Sequence, residues 1–214
     1  LSDQFNADSS KNIEEFDFDS LTINRHLISG DDPAAKDYKR YKFTEDGISP
    51  RAYPGQLKGE TVLVDSDEHD EEGHIVEDGE TRTKMVDKRA RKLDKLIQED
   101  LQEPEYFGDE DIDYLLLTWG SSYGPTREAF QLLKEDGIKV GLLSFNDVWP
   151  LPKEQLEDLA CDGVDLITVE LNSTAQFGTL IASETLLDVK QSILKYDGRP
   201  FTGKEIYNRF LDEV

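Results

Sequence analysis

From Tyr114 onward the chain alternates short apolar runs with amphipathic stretches. Tyr114–Trp119 (YLLLTW) is a short apolar run, Lys139–Phe145 reads as a second, buried strand, and Val164–Leu171 (VDLITVEL) and Gln191–Tyr196 read as a third and a fourth. Between them lie Pro125–Glu135, stopped by Asp136-Gly137, then Pro152–Ala160, opened by Pro152, and Gln176–Thr185; Lys204–Leu211 follows the last run. These four read as helices. The alternation predicts an α/β fold, a mostly parallel sheet of four or five strands with helices on both faces. In such sheets, ligands and partners meet the loops at the C-terminal ends of the strands.

The first half has a different pattern. Residues 1–60 show weak periodicity and are punctuated by Asn24, Gly30, Asp31, Asp32, Pro33, Gly47, Pro50, Pro54 and Gly55. Long irregular stretches are uncommon inside a self-contained domain. This segment therefore reads as an extended N-terminal arm, ordered by contacts outside the chain. Leu1-Ser-Asp-Gln-Phe5 reads like the end of a strand, and the chain does not start with Met, which suggests a processed chain or the C-terminal piece of something larger. Glu60–Asp65 (ETVLVD) predicts a short strand. Thr81–Asp100 predicts a helix on which Val86, Ala90, Leu93 and Ile97 share one face. Glu77, Asp78 and Glu80 precede it, and Lys84, Lys88, Arg89, Arg91, Lys92 and Lys95 form a basic, solvated face along it. Gln102–Asp111 reads as an acidic linker.

Composition narrows the function. Hydrophobic residues make up 36% and charged residues 33% of the 214. That suffices for a core of about 100–120 residues, not for an evenly packed whole. A net charge of -23 repels nucleic acid and anionic membrane, which excludes both as partners. The single cysteine, Cys161, rules out a disulfide framework, a paired-cysteine zinc site or a cluster cradle, and reads as packing at a helix end. No signal peptide and no long apolar run is present, so the chain reads as soluble and cytoplasmic.

Three segments carry candidate chemistry. Asp65–Asp78 (DSDEHDEEGHIVED) holds His69 and His74 among a dense set of carboxylates. Burying several unpaired carboxylates is costly, so this is a solvated loop or a site that meets donors or a partner. Its histidine spacing misses the helical zinc motif, and Asp70 stands where a calcium loop needs glycine; the loop bonding its own histidines and a partner is favoured over metal. Thr44–Arg51 (TEDGISPR) combines Asp46, Gly47 and Arg51. It reads as a capped turn, or as Asp46 or Arg51 reaching into a site built with another subunit. Gly120-Ser-Ser-Tyr-Gly124 matches the nucleophile-elbow pattern, but no histidine follows His74 to serve as its base, so it reads as a tight turn, with a phosphate cradle as the weaker alternative.

These segments, with KMVDKRARKL at 84–93, TWGSSYG, VGLLSFNDVWPLP and ILKYDGRPF, resemble the alpha subunit of 2-oxoacid:ferredoxin oxidoreductases, the 2-oxoglutarate (KorA-like) branch most of all. The resemblance implies that residues 1–15 end a thiamine pyrimidine-binding domain. Residues 16–112 would form a linker arm with the acidic loop and helix, and 113–214 a transketolase C-terminal-like domain. It implies oxidative decarboxylation of a 2-oxoacid to an acyl-CoA with ferredoxin reduction, by a complex in which this chain is inactive alone. Asp46, Arg51, His69 and His74 would lie near the active site. Thiamine diphosphate, Mg2+ and a [4Fe-4S] cluster would be held mainly by a thiamine-binding beta subunit, and none by this chain. Partners would be that subunit, the remaining N-terminal part of the alpha subunit, ferredoxin and CoA, assembled as a dimer of heterodimers. A non-catalytic assembly and dimerisation module, and a free-standing nucleotide-binding α/β protein, are the alternatives.

Overall fold

The three leucines of Tyr114–Trp119 face two ways, Leu116 to one side and Leu115 and Leu117 to the other. The computed structural model describes residues 7, 9, 10, 12–160 and 163–214. The expectations for Leu1–Phe5 and Cys161 fall outside the described residues. Residues 13–100 and residues 101–214 belong to two compact units.

In the second unit, strands β1 (Glu105–Phe107), β2 (Tyr114–Trp119), β3 (Val140–Phe145), β4 (Asp165–Glu170) and β5 (Val189–Leu194) form one sheet in the order β1-β3-β2-β4-β5. β2 pairs in parallel with both β3 and β4, and β4 with β5; β1 runs antiparallel to β3. Successive strand side chains point to opposite faces, and both faces are covered. On one side Leu116, Leu142, Ile167, Val169 and Ile193 pack with Ala129, Phe130 and Leu133 of α2 (Tyr123–Glu135) and Ile206 and Phe210 of α5 (Gly203–Glu213). On the other, Leu115, Leu117, Leu143, Phe145 and Leu166 pack with Leu156 of α3 (Glu154–Leu159) and Phe177 and Ile181 of α4 (Gln176–Thr185). This two-sided burial is why β2 and β3 read as nearly unbroken apolar runs. The predicted mostly parallel α/β sheet with helices on both faces is the observed fold of this unit. Two details differ. The acidic stretch 102–111 contains β1, and β5 begins at Val189 rather than Gln191.

The unit of residues 13–100 carries little regular structure. Its one long helix among the described residues is α1 (Gly79–Glu99), with Asp78 as N-cap, its Oδ1 accepting from Thr81 N at 2.8 Å. The stretch before it is not purely an extended arm, because Ile28, Tyr38, Ala52 and Leu57 close a small core of their own. Glu60–Asp65 is not a strand: among the described residues it has no pairing edge. The apolar face predicted for the helix is also corrected. Met85 and Lys88 are the buried positions of α1, while Val86, Leu93 and Ile97 are exposed.

Candidate functional site

The segment Thr44–Arg51 turns sharply because Gly47 adopts φ +75°, a left-handed conformation that glycine accepts without a Cβ clash. A Cβ there would also run into the Lys88 carbonyl oxygen, so the turn lies directly on the α1 backbone. Asp46 Oδ1 accepts from Ile48 N at 2.9 Å and closes the turn. That bond holds the Asp46 carboxyl below the usual carboxylate range. Ser49 Oγ donates to Lys42 O at 2.9 Å. Arg51 is fixed through its backbone: its N–H donates to His26 O at 3.0 Å, and its carbonyl accepts from Ile28 N at 2.9 Å. Its side chain is left to line a cleft.

This cleft has a volume of about 310 Å³ and is lined by Arg40, Tyr41, Ile48, Ser49, Pro50, Arg51, Lys88 and Lys92. Lys88 is 4% exposed, and its Nζ donates to Tyr41 O at 2.9 Å. Burial, with the neighbouring charges of Lys92 and Arg89, pushes its ammonium down to about 8. The basic face of α1 is therefore not uniformly solvated, and Lys88 is a buried member of it. Sequence reasoning did not single out Arg40 or Tyr41, and it read Lys88 and Lys92 only as members of a solvated basic face. The available signal was the spacing of Met85, Lys88 and Lys92, which places all three on one side of a helix.

The acidic loop is anchored to the same helix. Glu68 accepts from Arg89 Nη1 and Nη2 at 3.1 and 2.8 Å, and from Arg82 Nη1 at 2.8 Å. The Arg89 bonds first, then Arg82 and the His69 N–H, hold the Glu68 carboxyl down to about 2 against the opposing effect of its partial burial. Glu71 accepts from Lys39 Nζ at 3.1 Å and Phe43 N at 2.8 Å. Asp70 Oδ1 gathers the N–H groups of Glu72, Gly73 and His74, each at 2.9 Å. Burial pushes the Asp70 carboxyl up, but those amides and the His74 ring outweigh it and leave it lowered. Three of the loop's acids thus find donors within their own unit; the sequence reading had the loop bonding its own histidines and a partner, and Asp70 does bond His74.

The four predicted residues are distributed unevenly. Arg51 and Tyr41 line the cleft, and His69 stacks on Tyr41 with ring centroids 3.8 Å apart. His69 Nδ1 lies 2.9 Å from Asp70 O. His74 is exposed and sits 3.2 Å from Asp70 Oδ2. Asp46 and His74 are not among the lining residues of the cleft. Asp70, Glu72 and His74 offer three ligand atoms within 4.8 Å of one another, an arrangement that the loop's own hydrogen bonds account for.

In the other unit, Gly120–Ser122 forms a 3-10 turn leading into α2. Ser122 is buried, and its carbonyl accepts from Thr126 Oγ1 at 2.7 Å. It presents no nucleophile. A second cleft, of about 430 Å³, lies at the C-terminal ends of β2 and β3, lined by Trp119, Gly120, Tyr123, Ser144, Phe145, Asn146, Val148 and Glu105. The start of α4 is occupied by the protein itself. Glu170, fully buried at the end of β4, accepts from Phe177 N at 2.8 Å, Gly178 N at 3.0 Å and Asn172 Nδ2 at 2.7 Å. Asn172 Oδ1 takes Gln176 N at 3.2 Å. Helix N-termini beside parallel strands are where phosphates commonly bind; here a carboxylate of the same chain fills that role.

An iron–sulfur cluster is held by cysteine thiolates, at least two of them even where histidines supply the rest. The chain has one cysteine, so its residues do not fit such a group.

The second unit is thus a five-stranded α/β domain, and the first presents a helix-anchored acidic loop beside a basic cleft. The family described as "Pyruvate:ferredoxin oxidoreductase core domain II" matches residues 112–206. The chain is 41% identical over 214 residues to "2-oxoacid:ferredoxin oxidoreductase 1, subunit alpha" of Sulfurisphaera tokodaii, covering 98% of this chain and 32% of that protein. It is 33% identical over 212 residues to "2-oxoacid:ferredoxin oxidoreductase 2, subunit alpha" of Aeropyrum pernix, covering 96% and 32%. Among solved structures it is similar to "2-oxoglutarate:ferredoxin oxidoreductase from Magnetococcus marinus with 2-oxoglutarate, coenzyme A and succinyl-CoA bound", with TM-score 0.77, 30% identity, and coverage of 91% of this chain and 33% of that one. The chain belongs to the alpha-subunit family of the 2-oxoacid:ferredoxin oxidoreductases. It spans about a third of the length of these relatives.

Proposed function

We propose that the chain forms part of the alpha subunit of a thiamine-dependent 2-oxoacid:ferredoxin oxidoreductase. The complex would oxidatively decarboxylate a 2-oxoacid, 2-oxoglutarate first among the candidates, to an acyl-CoA while reducing ferredoxin. The observation that carries this reading is 41% identity sustained over 98% of the chain. The substrate assignment is supported by the relative from Magnetococcus marinus, whose structure contains 2-oxoglutarate and succinyl-CoA. In this reading thiamine diphosphate, Mg2+ and the [4Fe-4S] cluster belong mainly to a beta subunit, and this chain is inactive alone. Its part is to position Arg51 and the Tyr41–His69 stack. Asp46 and His74 hold the turns that present them.

A heteromer also accounts for the surface. Ile13, Phe16, Phe18, Leu21 and Ile23 are more than half exposed, and Val86, Leu93 and Ile97 form an exposed stripe on α1. Exposed apolar side chains in such number are what a partner would cover. Copurification from the native source with mass spectrometry tests the proposal. We expect a thiamine-binding partner together with iron; a folded, monodisperse chain of 24.4 kDa without partner or cofactor would overturn it.

One observation favours a second reading. The side chains of Asp46 and His74 are engaged within their own turns, as in a purely structural module. Alanine at Asp46, Arg51, His69 and His74 in the intact complex separates the two. Lost turnover with assembly intact supports a role at the active site, and unchanged turnover leaves only a scaffold.

A further inference from the structure

The cleft at the C-terminal ends of β2 and β3 holds about 430 Å³, within the roughly 300–1,000 Å³ typical of small-molecule sites. Ligands of open α/β sheets meet this end of the strands. Glu105 of β1 pairs with Ser144 of β3, so a carboxylate and a hydroxyl line the cleft side by side. Ser144 is 5% exposed, yet its hydroxyl bonds to no described residue. A hydroxyl so enclosed ordinarily has a partner; this one lines the cleft without one. The side-chain amide of Asn146 is likewise without a partner among the described residues. Glu105 has none either, although acids just after it in the chain do: Asp109 pairs with Lys134 at 2.9 Å and Asp111 with Lys139 at 2.7 Å. Trp119 and Tyr123, both half-buried, add aromatic surface. Tyr123 is held in place: its hydroxyl accepts from Arg127 Nη1 at 3.1 Å, and its ring lies 6.2 Å from that of Phe107. Among the described residues no lysine, arginine or histidine lines the cleft.

This set of groups discriminates between ligand classes. A phosphate or carboxylate meets the uncompensated charge of Glu105 and no lining cation, in a chain of net charge -23. A purely apolar ligand leaves Glu105, Ser144 and Asn146 desolvated and unpaired. A cation satisfies Glu105 alone, and Arg127, bonded to the Tyr123 hydroxyl, opposes it. A neutral planar ring bearing an amino group offers each of them a partner. Glu105 accepts from the amino group, and Asn146 pairs with the amino group and a ring nitrogen as amides do with adenine. Ser144 donates to a second ring nitrogen, and the aromatic side chains stack on the ring. From this arrangement we infer that the cleft binds an amino-substituted nitrogen heterocycle of the adenine type, as the base or nucleoside and not through phosphates. The inference rests on the cleft of the second unit alone and is separate from the activity proposed above.

Trp119 itself reports occupancy. The chain has two tryptophans, and Trp149 is exposed and does not line the cleft. In a Trp149→Phe background of the full chain, adenosine should quench Trp119 fluorescence to saturation. Calorimetry on the parent chain checks the same binding without that substitution. Glu105→Ala should weaken binding about tenfold, the scale of a hydrogen bond to an ionised group, and Asn146→Ala about fivefold. Both positions are exposed, so circular dichroism should show an intact fold. Inosine, with an oxygen in place of the amino group, should bind about tenfold more weakly or not at all. ATP should bind no more tightly than adenosine, and more weakly at low salt, because its phosphates meet no lining cation. Absence of saturable quenching and heat would overturn the inference, as would equal binding of adenosine and inosine or unchanged affinity in both variants. ATP binding tenfold tighter than adenosine would assign the cleft to phosphates, and tetramethylammonium binding without adenosine binding would assign it to cations; either result overturns the inference.

Discussion

Glu170 and Phe177 are joined by a 2.8 Å hydrogen bond in which a fully buried carboxylate at the end of β4 receives the backbone N–H of the first turn of α4. Gly178 adds a second bond to the same carboxylate. The helix has no cap of its own, since Ala175 stands at its N-cap position. Glu170→Ala leaves two donors without partners in a buried position. The expected cost is about 2–4 kcal/mol, from the desolvation of each orphaned N–H. Glu170→Gln keeps an acceptor oxygen and should cost about half as much or less. Denaturant midpoints measure both. Equal stability of Glu170→Ala and the parent chain would contradict this account.

At Gly47, substitution tests the contact of the Thr44–Arg51 turn with α1. Gly47→Ala combines a positive φ with a clash against the Lys88 carbonyl. Backbone strain at such a site costs of order 1–3 kcal/mol, and the clash adds to it. We expect faster amide exchange at Ile48, whose N–H bonds to Asp46, and at Arg51, whose N–H bonds to His26. Protection unchanged at both amides would show that the turn holds without the close approach.

Acid should release the loop from the helix in a defined window. In the fold Glu68 titrates at about 2, below its ordinary 4.5. Its contribution to stability is therefore fully present above about 4.5 and is lost as pH falls towards 2. Glu68→Gln removes the charge at every pH and should cost about 1–3 kcal/mol at neutral pH, the range for hydrogen bonds to ionised groups. Stability measured from pH 5 to pH 2 should fall less steeply in Glu68→Gln than in the parent. Parallel curves would rule out Glu68 as the titrating anchor.

Lys88 has the opposite sign. Its folded value of about 8 lies below the ordinary 10.5, so between those pH values the unfolded chain binds the extra proton. Stability from this group rises with pH across that window. Lys88→Met removes a buried charge while keeping an unbranched stem, and is expected to be neutral or stabilising at pH 7. Thermal unfolding from pH 7.5 to 10.5 should show a flatter profile for the variant. An unchanged slope would show that Lys88 does not titrate in this range.

How much of this was legible in the sequence depended on which physical signal ruled each segment. Tyr114–Trp119 and Val140–Phe145 are buried on two sides, so their continuous apolar pattern could be read as strands. β1 has three residues inside an acidic stretch and pairs only at the sheet edge, too short for periodicity to register. On α1, Val86, Ala90, Leu93 and Ile97 satisfied helical spacing, yet the packed side is that of Met85 and Lys88. Hydropathy scores lysine by its charge and overlooks the apolar stem that allows it to lie inside. The acidic loop was recognisable as an ordered element before a helix. Its donors were not, because Lys39 and Phe43 are distant in sequence from Glu71.

Tyr41 gives these local features a common consequence. Its N–H donates to Glu71 O, its carbonyl accepts from Lys88 Nζ, and its ring carries His69. One residue thus supports the loop, the helix and the wall of the cleft at once. Whatever shifts the Tyr41 main chain from one of these sides is felt on the other two. Thermodynamic linkage would make any such effect reciprocal: a change that displaces Tyr41 from the loop also bears on its contact with Lys88.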